Sequence, residues 1–148
     1  MRKMTNKRMA AFCAVVCAFA ASVSVAQGAG KCYPSGGRFT VNAGIVLDGM
    51  TGLSWHQAIA PETMTSLAAQ AYCTSLGSRL PSMTELYTLV DITRVPRIDH
   101  TFFPNTPAAN FWTSIKVRQQ ARTYYVNFST GEAQQIDGNN SFHVRCVR

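Results

Sequence analysis

Apolar and polar positions along this chain group into short blocks whose spacing changes from strand-like to helix-like and back. Arg38–Val41 opens a brief strand pattern, and Gly44–Trp55 (GIVLDGMTGLSW) holds two apolar runs, Ile45-Val46-Leu47 and Leu53-Ser54-Trp55. Between them Asp48-Gly49-Met50-Thr51-Gly52 supplies the glycines that a tight turn needs, so the segment predicts a β-hairpin. Thr65–Leu76 (TSLAAQAYCTSL) changes to helical spacing: Leu67, Ala68, Ala71, Tyr72 and Leu76 mark the expected buried face, Thr65 caps the start and Gly77 follows the end. Arg79–Asp91 predicts a second helix, started by a Ser82/Glu85 capping box and buried along Leu86, Leu89 and Val90.

Val95–Asn110 (VPRIDHTFFPNTPAAN) has three prolines and no period, which predicts a long irregular excursion. Phe111–Lys116, Thr123–Phe128 and Phe142–Val147 then predict three strands; Val126/Phe128 and Phe142/Val144/Cys146 alternate with polar neighbours. Thr130-Gly131 marks a break and Asp137-Gly138-Asn139-Asn140 a turn. Strands, two helices, a long loop and more strands make an α+β fold with an antiparallel sheet, not a βαβ repeat. No longer period is present, which excludes a solenoid or a collagen-like chain.

The N-terminus changes how the charge is read. Arg2, Lys3, Lys7 and Arg8 precede the uncharged apolar run Met9–Val23, and Ser24-Val25-Ala26 places small residues where a signal peptidase cuts. Residues 1–26 are therefore expected to be a secretory signal, and 27–37 a flexible lead-in. The run is short for a membrane anchor, which needs ~20 apolar residues. Phe12 and Val16 stand before Cys13 and Cys17 where a lipidation signal needs a small residue. The whole chain has 14 Lys+Arg against 7 Asp+Glu and a formal charge of +7; removing the signal takes four cations and leaves about +3. Most of the basic excess thus belongs to targeting. Export to the periplasm or cell surface, no membrane span after cleavage and no nucleic-acid partner are the expectations. Of the three remaining thiols, Cys32, Cys73 and Cys146, any two can pair in an oxidising compartment, leaving one over.

Several ordered motifs resemble one exported bacterial family. They are Val46-Leu47-Asp48…Thr51-Gly52-Leu53-Ser54-Trp55, Ala71-Tyr72-Cys73, Arg79-Leu80-Pro81-Ser82…Glu85-Leu86 and Phe103-Pro104-Asn105-Thr106-Pro107. Phe111-Trp112-Thr113-Ser114, Tyr125-Val126-Asn127-Phe128-Ser129-Thr130-Gly131 and the ending Val144-Arg145-Cys146-Val147-Arg148 complete the set. The chain resembles the Lcl C-terminal domain family from about Arg38 to Arg148. The resemblance implies a C-type lectin-like fold, two helices beside a twisted antiparallel sheet with a long irregular loop. It also implies that Cys73 and Cys146 are partners, with Cys32 outside the matched region. The family usually has Trp-Arg-Leu-Pro before the second helix; here Ser78 stands in place of the tryptophan.

The candidate chemistry is sparse. Related lectins hold calcium and sugar with Pro-flanked carboxylate or amide residues and a Trp-Asn-Asp strand. Phe103-Pro104-Asn105 and Val126-Asn127-Phe128 offer no carboxylate, so that ion site is not expected. His56, His100 and His143 lack metal-ligand spacing. A bridged Cys73 cannot act as a nucleophile, and no serine elbow or phosphate loop occurs, so neither a cofactor nor an enzyme is expected. Trp55, Trp112, Phe111, Tyr124 and Tyr125 divide between core and surface, and an outward ring among them suits stacking on a sugar. The clearest surface signal is Lys116-Val117-Arg118-Gln119-Gln120-Ala121-Arg122, a strand–strand turn with three cations and no acid between Asp99 and Glu132. Lys116, Arg118, Arg122 and Arg145 are the candidate polyanion-binding residues. The expectation is an exported non-enzymatic binding module for a glycan or sulfated polyanion; the alternative is a protein-interaction or structural subunit of a surface assembly.

Overall fold

The structure, a computed structural model, describes residues 37–148. The expected signal peptide, the lead-in before Gly37, and Cys32 lie outside the described residues. The elements are β1 (Phe39–Asn42), β2 (Ile45–Asp48), β3 (Ser54–His56), α1 (Ser66–Ser75), α2 (Met83–Tyr87), β4 (Asn110–Lys116), β5 (Arg122–Asn127) and β6 (Ala133–Asp137). They form two antiparallel three-stranded sheets, β1-β2-β3 and β4-β5-β6, with the two helices between them in sequence. The α+β architecture and the long irregular loop are as expected.

The first sheet follows from its turns. Asn42 pairs with Ile45 across Ala43 and Gly44, whose φ values of 47° and 76° make the two-residue turn that matches strand twist. The predicted β2–β3 hairpin is present, with Val46 opposite Trp55 and Leu47 opposite Ser54. Asp48 does more than turn the chain. It is buried, and its carboxylate accepts from Arg38 Nε at 3.0 Å, Arg38 Nη2 at 2.7 Å and the Met50 N–H at 2.9 Å. Burial alone would raise its pKa, but the bonds from Arg38, Met50 and Thr51 outweigh it and hold the carboxyl below its usual value.

Helix α1 starts and stops where the sequence places it, with Thr65 accepting from the Ala68 N–H and Leu76 as the C-cap. Its buried face differs from the expected one. Ser66, Ala69 and Cys73 face inward, whereas Leu67 is 70% exposed and Ala68, Ala71 and Leu76 are also exposed. Small residues on the inner face let the helix backbone approach β4 and β5, and the bridge at Cys73 fixes that face, so bulk at Leu67 cannot turn it. Helix α2 is shorter than its pattern implies, but both bonds of the Ser82/Glu85 capping box are present and Leu86 and Leu89 are buried.

Two strand assignments need correction. The predicted strand Phe142–Val147 is an extended segment that joins no sheet as a regular strand. It bridges singly to Met64, Phe111, Trp55 and Arg79, and so zips the two sheets and the loop before α2 together. Backbone bonds mark the route: Met64 to Phe142, Ala60 to Val144, His56 to Cys146 and Ser54 to Arg148. The alternation in this segment records burial between several neighbours rather than one sheet face. The third strand of the second sheet is instead β6, whose sequence AQQID is polar at its centre because that edge faces solvent. Gly138 closes its end. A Cβ there would meet Ser66 Oγ at 2.6 Å and Thr123 Oγ1 at 3.2 Å, so a larger residue would have to displace these two hydrogen-bonded hydroxyls at the start of α1.

Two apolar clusters fill the interior. One gathers Val46, Trp55, Leu86, Ile98, Phe103, Phe111 and Phe128; the other gathers Ala69, Leu80, Trp112, Val144 and the bridged Cys73 and Cys146. The pairing implied by the family resemblance is the one present, Cys73–Cys146, with Cα atoms 5.4 Å apart. Among the described residues no helix is long and apolar enough to cross a membrane.

Candidate functional site

The β4–β5 hairpin presents the cationic cluster. Lys116 stands opposite Thr123, Val117 N–H donates to the Arg122 carbonyl at 2.9 Å, and Gln119 takes a left-handed φ of 59° at the tip. The register shifts between Trp112 and Lys116, where the Thr113 hydroxyl donates to the Tyr124 carbonyl at 2.8 Å and accepts from the Ile115 N–H. This bulge twists the outer half of the hairpin away from the core. Lys116, Arg118 and Arg122 are all exposed there.

None of the three is in an ion pair among the described residues; the pairs lie elsewhere, at Arg38–Asp48, Arg79–Glu85 and Arg94 with Asp91 and Asp99. Arg122 reaches back to the Gln135 carbonyl at 3.1 Å. Asp137 is opposite Arg122 in the β5–β6 register, so one acid borders the patch; its carboxylate accepts from the Asn139 N–H.

Arg145 does not join this patch, which corrects its assignment as a ligand-binding residue. Its side chain is fully buried. Nη1 donates to the His56 and Gln57 carbonyls at 2.7 and 2.6 Å, Nη2 donates to Thr106 Oγ1 at 2.7 Å, and the guanidinium lies 4.8 Å from the Phe103 ring centre. Burial pushes its pKa down to about 9, which still leaves it charged at neutral pH. No carboxylate shares the site; carbonyl dipoles and an aromatic face hold the charge. Arg145 is a structural tie between the β3 exit and the long loop. An apolar neighbour on each side, Val144 and Cys146, gave it the pattern of a solvent-facing strand residue.

The other candidate chemistries resolve into local structure. Trp55, Phe111, Trp112 and Tyr125 are buried and only Tyr124 is partly exposed, so the aromatic residues lean further to the core than expected. His56 Nε2 lies 2.7 Å from Ser78 Oγ, the position where the family usually has tryptophan, and Arg148 Nε donates to the same hydroxyl at 3.2 Å. Burial and the charges of Arg148 and Arg145 push the His56 pKa down. His143 stacks on Phe111 at 5.3 Å, and burial pushes its pKa down. Among the described residues no three His, Cys, Asp or Glu side chains gather as metal ligands.

Sequence reasoning missed one arrangement near the base of the hairpin. Asn110 and Asn127 are opposite each other, and Asn127 Nδ2 donates to Asn110 Oδ1 at 2.8 Å. Counting back regularly from the Lys116–Thr123 pair would put Ser129 opposite Asn110. The bulge moves the register by two residues, and nothing in the local sequence announces it.

The described residues thus form a domain of two helices and two small antiparallel sheets held by one bridge. The Lcl C-terminal domain profile matches residues 44–148, and the chain belongs to that family. No curated protein matches the sequence. Among solved structures, the chain is similar to TC14, a C-type lectin from the tunicate Polyandrocarpa misakiensis. The identity is 12% and the TM-score 0.42, over 62% of this chain and 94% of that one.

Proposed function

We propose that this protein is an exported, non-enzymatic binding module and that the tip of the β4–β5 hairpin is its contact for a polyanionic surface ligand such as a sulfated glycan. The observation that carries this reading is the exposure of Lys116, Arg118 and Arg122 together, with no carboxylate pairing any of them while Arg38, Arg79 and Arg94 are paired. Guanidinium groups form short, charge-assisted bonds to sulfate and phosphate oxygens, and one outside any ion pair need not first give up a carboxylate. Export is supported by the N-terminal basic and apolar runs and by the buried Cys73–Cys146 bridge, which persists in an oxidising compartment. Recognition does not require calcium, because the tip supplies cations rather than oxygen ligands.

The test is binding to immobilised dextran sulfate by the wild type and by Arg118→Glu/Arg122→Glu. Loss of at least tenfold in affinity with an unchanged melting temperature supports the hairpin; unchanged binding removes it from the account. A second reading, a protein-interaction module, is favoured by Ile92 and Val95, 73% and 84% exposed on the loop that follows α2. Ile92→Ser/Val95→Ser separates the two: it leaves polyanion binding intact and disrupts only a protein complex.

A further inference from the structure

The edges of the two sheets are not equally closed. Ser54 and His56 of β3 donate to the Arg148 and Cys146 carbonyls, and Trp112 and Ser114 of β4 donate to those of His143 and Pro81. β1 has four residues and borders the long loop, where Phe39 packs on Phe102 and Phe103. β6 is the outer strand of the second sheet, and among the described residues no backbone segment pairs with its far side.

The register fixes which groups that edge offers. The Asn127 N–H donates to the Glu132 carbonyl and the Gly138 N–H to the Ala121 carbonyl, so residues 132, 134, 136 and 138 bond inward to β5. Ala133, Gln135 and Asp137 therefore point their N–H and C=O groups outward. The Asp137 carbonyl accepts from the Asn140 N–H and Nδ2, and the Gln135 carbonyl accepts from Arg122 Nη2 at 3.1 Å. A cation over an edge carbonyl guards against unwanted pairing, and it leaves the carbonyl a second lone pair. The three outward N–H groups and the Ala133 carbonyl have no partner among the described residues and are placed to receive a further strand.

Beside this edge runs a groove of about 440 Å³, lined by Met83, Thr84, Tyr87 and Thr88 of α2 and by Ala133. Ala133 stands opposite the buried Val126 and packs on the first apolar cluster, so its face of β6 is the one turned toward α2. Thr84 Oγ1 lies 3.1 Å from Ser82 Oγ, and the Thr88 hydroxyl donates to the Glu85 carbonyl, so the groove offers chiefly carbon. A strand paired with β6 sends every second side chain to this face. The side chain opposite Ala133 reaches the groove. The one opposite Asp137, four positions earlier in an antiparallel strand, meets an exposed carboxylate that is in no ion pair among the described residues.

We propose that the β6 edge docks an extended segment of a partner protein, paired antiparallel to β6, that carries a cation and, four residues later, a branched apolar side chain. Main-chain bonds to Ala133, Gln135 and Asp137 supply affinity, while the groove and the Asp137 carboxylate set which sequence fits. A second copy of this chain fits less well. Pairing β6 with itself about Gln135 sets Asp137 of one copy opposite Ala133 of the other, which drives a carboxylate toward the apolar groove. The inference is independent of the polyanion reading, since it draws on backbone groups, Asp137 and α2 instead of the exposed hairpin cations.

The test is the fluorescence anisotropy of a labelled peptide, Thr-Lys-Val-Thr-Val-Leu-Thr-amide, titrated with the full chain. Saturable binding is expected, with the peptide lysine opposite Asp137 and its leucine opposite Ala133. N-methylation of the leucine nitrogen removes the donor to the Ala133 carbonyl and is expected to weaken binding at least tenfold. Exchanging the lysine and the leucine, which keeps the composition, is expected to do the same. Tyr87→Ser, which opens the groove, also weakens binding at least tenfold and leaves dextran sulfate binding unchanged. The proposal is overturned if the parent peptide does not bind, or if any one of these three changes leaves its affinity as it was. Sedimentation showing the chain alone to be a dimer that the peptide dissociates would assign the edge to a second copy and overturn it too. Should Tyr87→Ser fail to fold, the two peptide changes decide alone.

Discussion

Arg145 Nη2 donates to Thr106 Oγ1 at 2.7 Å across 39 residues of chain, and the hydroxyl donates onward to the Phe103 carbonyl at 2.8 Å. A cation buried without a counter-ion thus pins a loop that has no secondary structure of its own. Thr106→Val keeps the shape but removes the acceptor, and is expected to cost about 1–3 kcal/mol. Arg145→Leu also strands the His56 and Gln57 carbonyls and is expected to cost about 3 kcal/mol or more. Urea denaturation measures both. Polyanion binding by either folded variant should match the wild type, because neither residue reaches the surface.

The Cys73–Cys146 bridge closes a loop with a sequence separation of 73 and joins α1 to the segment that zips the sheets. Cys73→Ser/Cys146→Ser is expected to lower stability by about 2–4 kcal/mol, since the unfolded chain regains the freedom the bridge removes. Both sulfurs belong to buried residues. Reductant alone should therefore act slowly on the folded protein and quickly once denaturant opens it, which mass spectrometry of alkylated thiols would follow.

Glu85 gives the fold a pH limit on the acid side. Bonds from Arg79 at 2.7 and 2.8 Å lower its pKa most; burial opposes them and the Ser82 N–H assists, so the value falls to about 2 from 4.5. The contribution is complete above the unfolded value and is lost as pH falls through the folded one. Thermal melts should show stability declining from about pH 4.5 towards pH 2, and Glu85→Gln should flatten that decline. A decline of equal steepness in Glu85→Gln would show that other carboxylates set the limit.

The inner face of α1 can be checked by a pair of substitutions. Ala69 is fully buried, so Ala69→Leu overpacks the interface with the second sheet and is expected to cost about 1–3 kcal/mol. Leu67→Gln, on the exposed face, should change stability by no more than about 0.5 kcal/mol. Calorimetric melting of the two variants compares the assignments directly, because the helical spacing of the larger apolar residues predicts the opposite order.

That helix shows what the sequence could and could not convey. Element positions written in local chemistry were legible: the Ser82/Glu85 box, the Thr65 cap, the Asp48–Gly52 turn and the hairpin around Arg118 are set by residues within a few positions of each other. Faces and partners set by distant chain were not. The inner face of α1 is chosen by Cys146, 73 residues away, and by the need for small side chains against the sheet. The Asn110–Asn127 pair depends on a bulge three to four residues off, and β6 carries no alternation because it lies at an edge. Arg145 is the sharpest case. In a strand flanked by Val144 and Cys146 an arginine reads as the outward residue, yet here both neighbours and the arginine are buried, because the segment is enclosed from several sides.

The central claim, that the cationic hairpin tip binds polyanions, is most directly tested by the salt dependence of affinity for a sulfated polysaccharide, with and without calcium. The account predicts binding at low ionic strength that weakens steadily between about 0.05 and 0.5 M salt, as exposed charges are screened. The weakening should shrink as Lys116, Arg118 and Arg122 are reversed one at a time, and calcium should make no difference. Affinity that is indifferent to salt, or that survives reversal of all three cations, would contradict it.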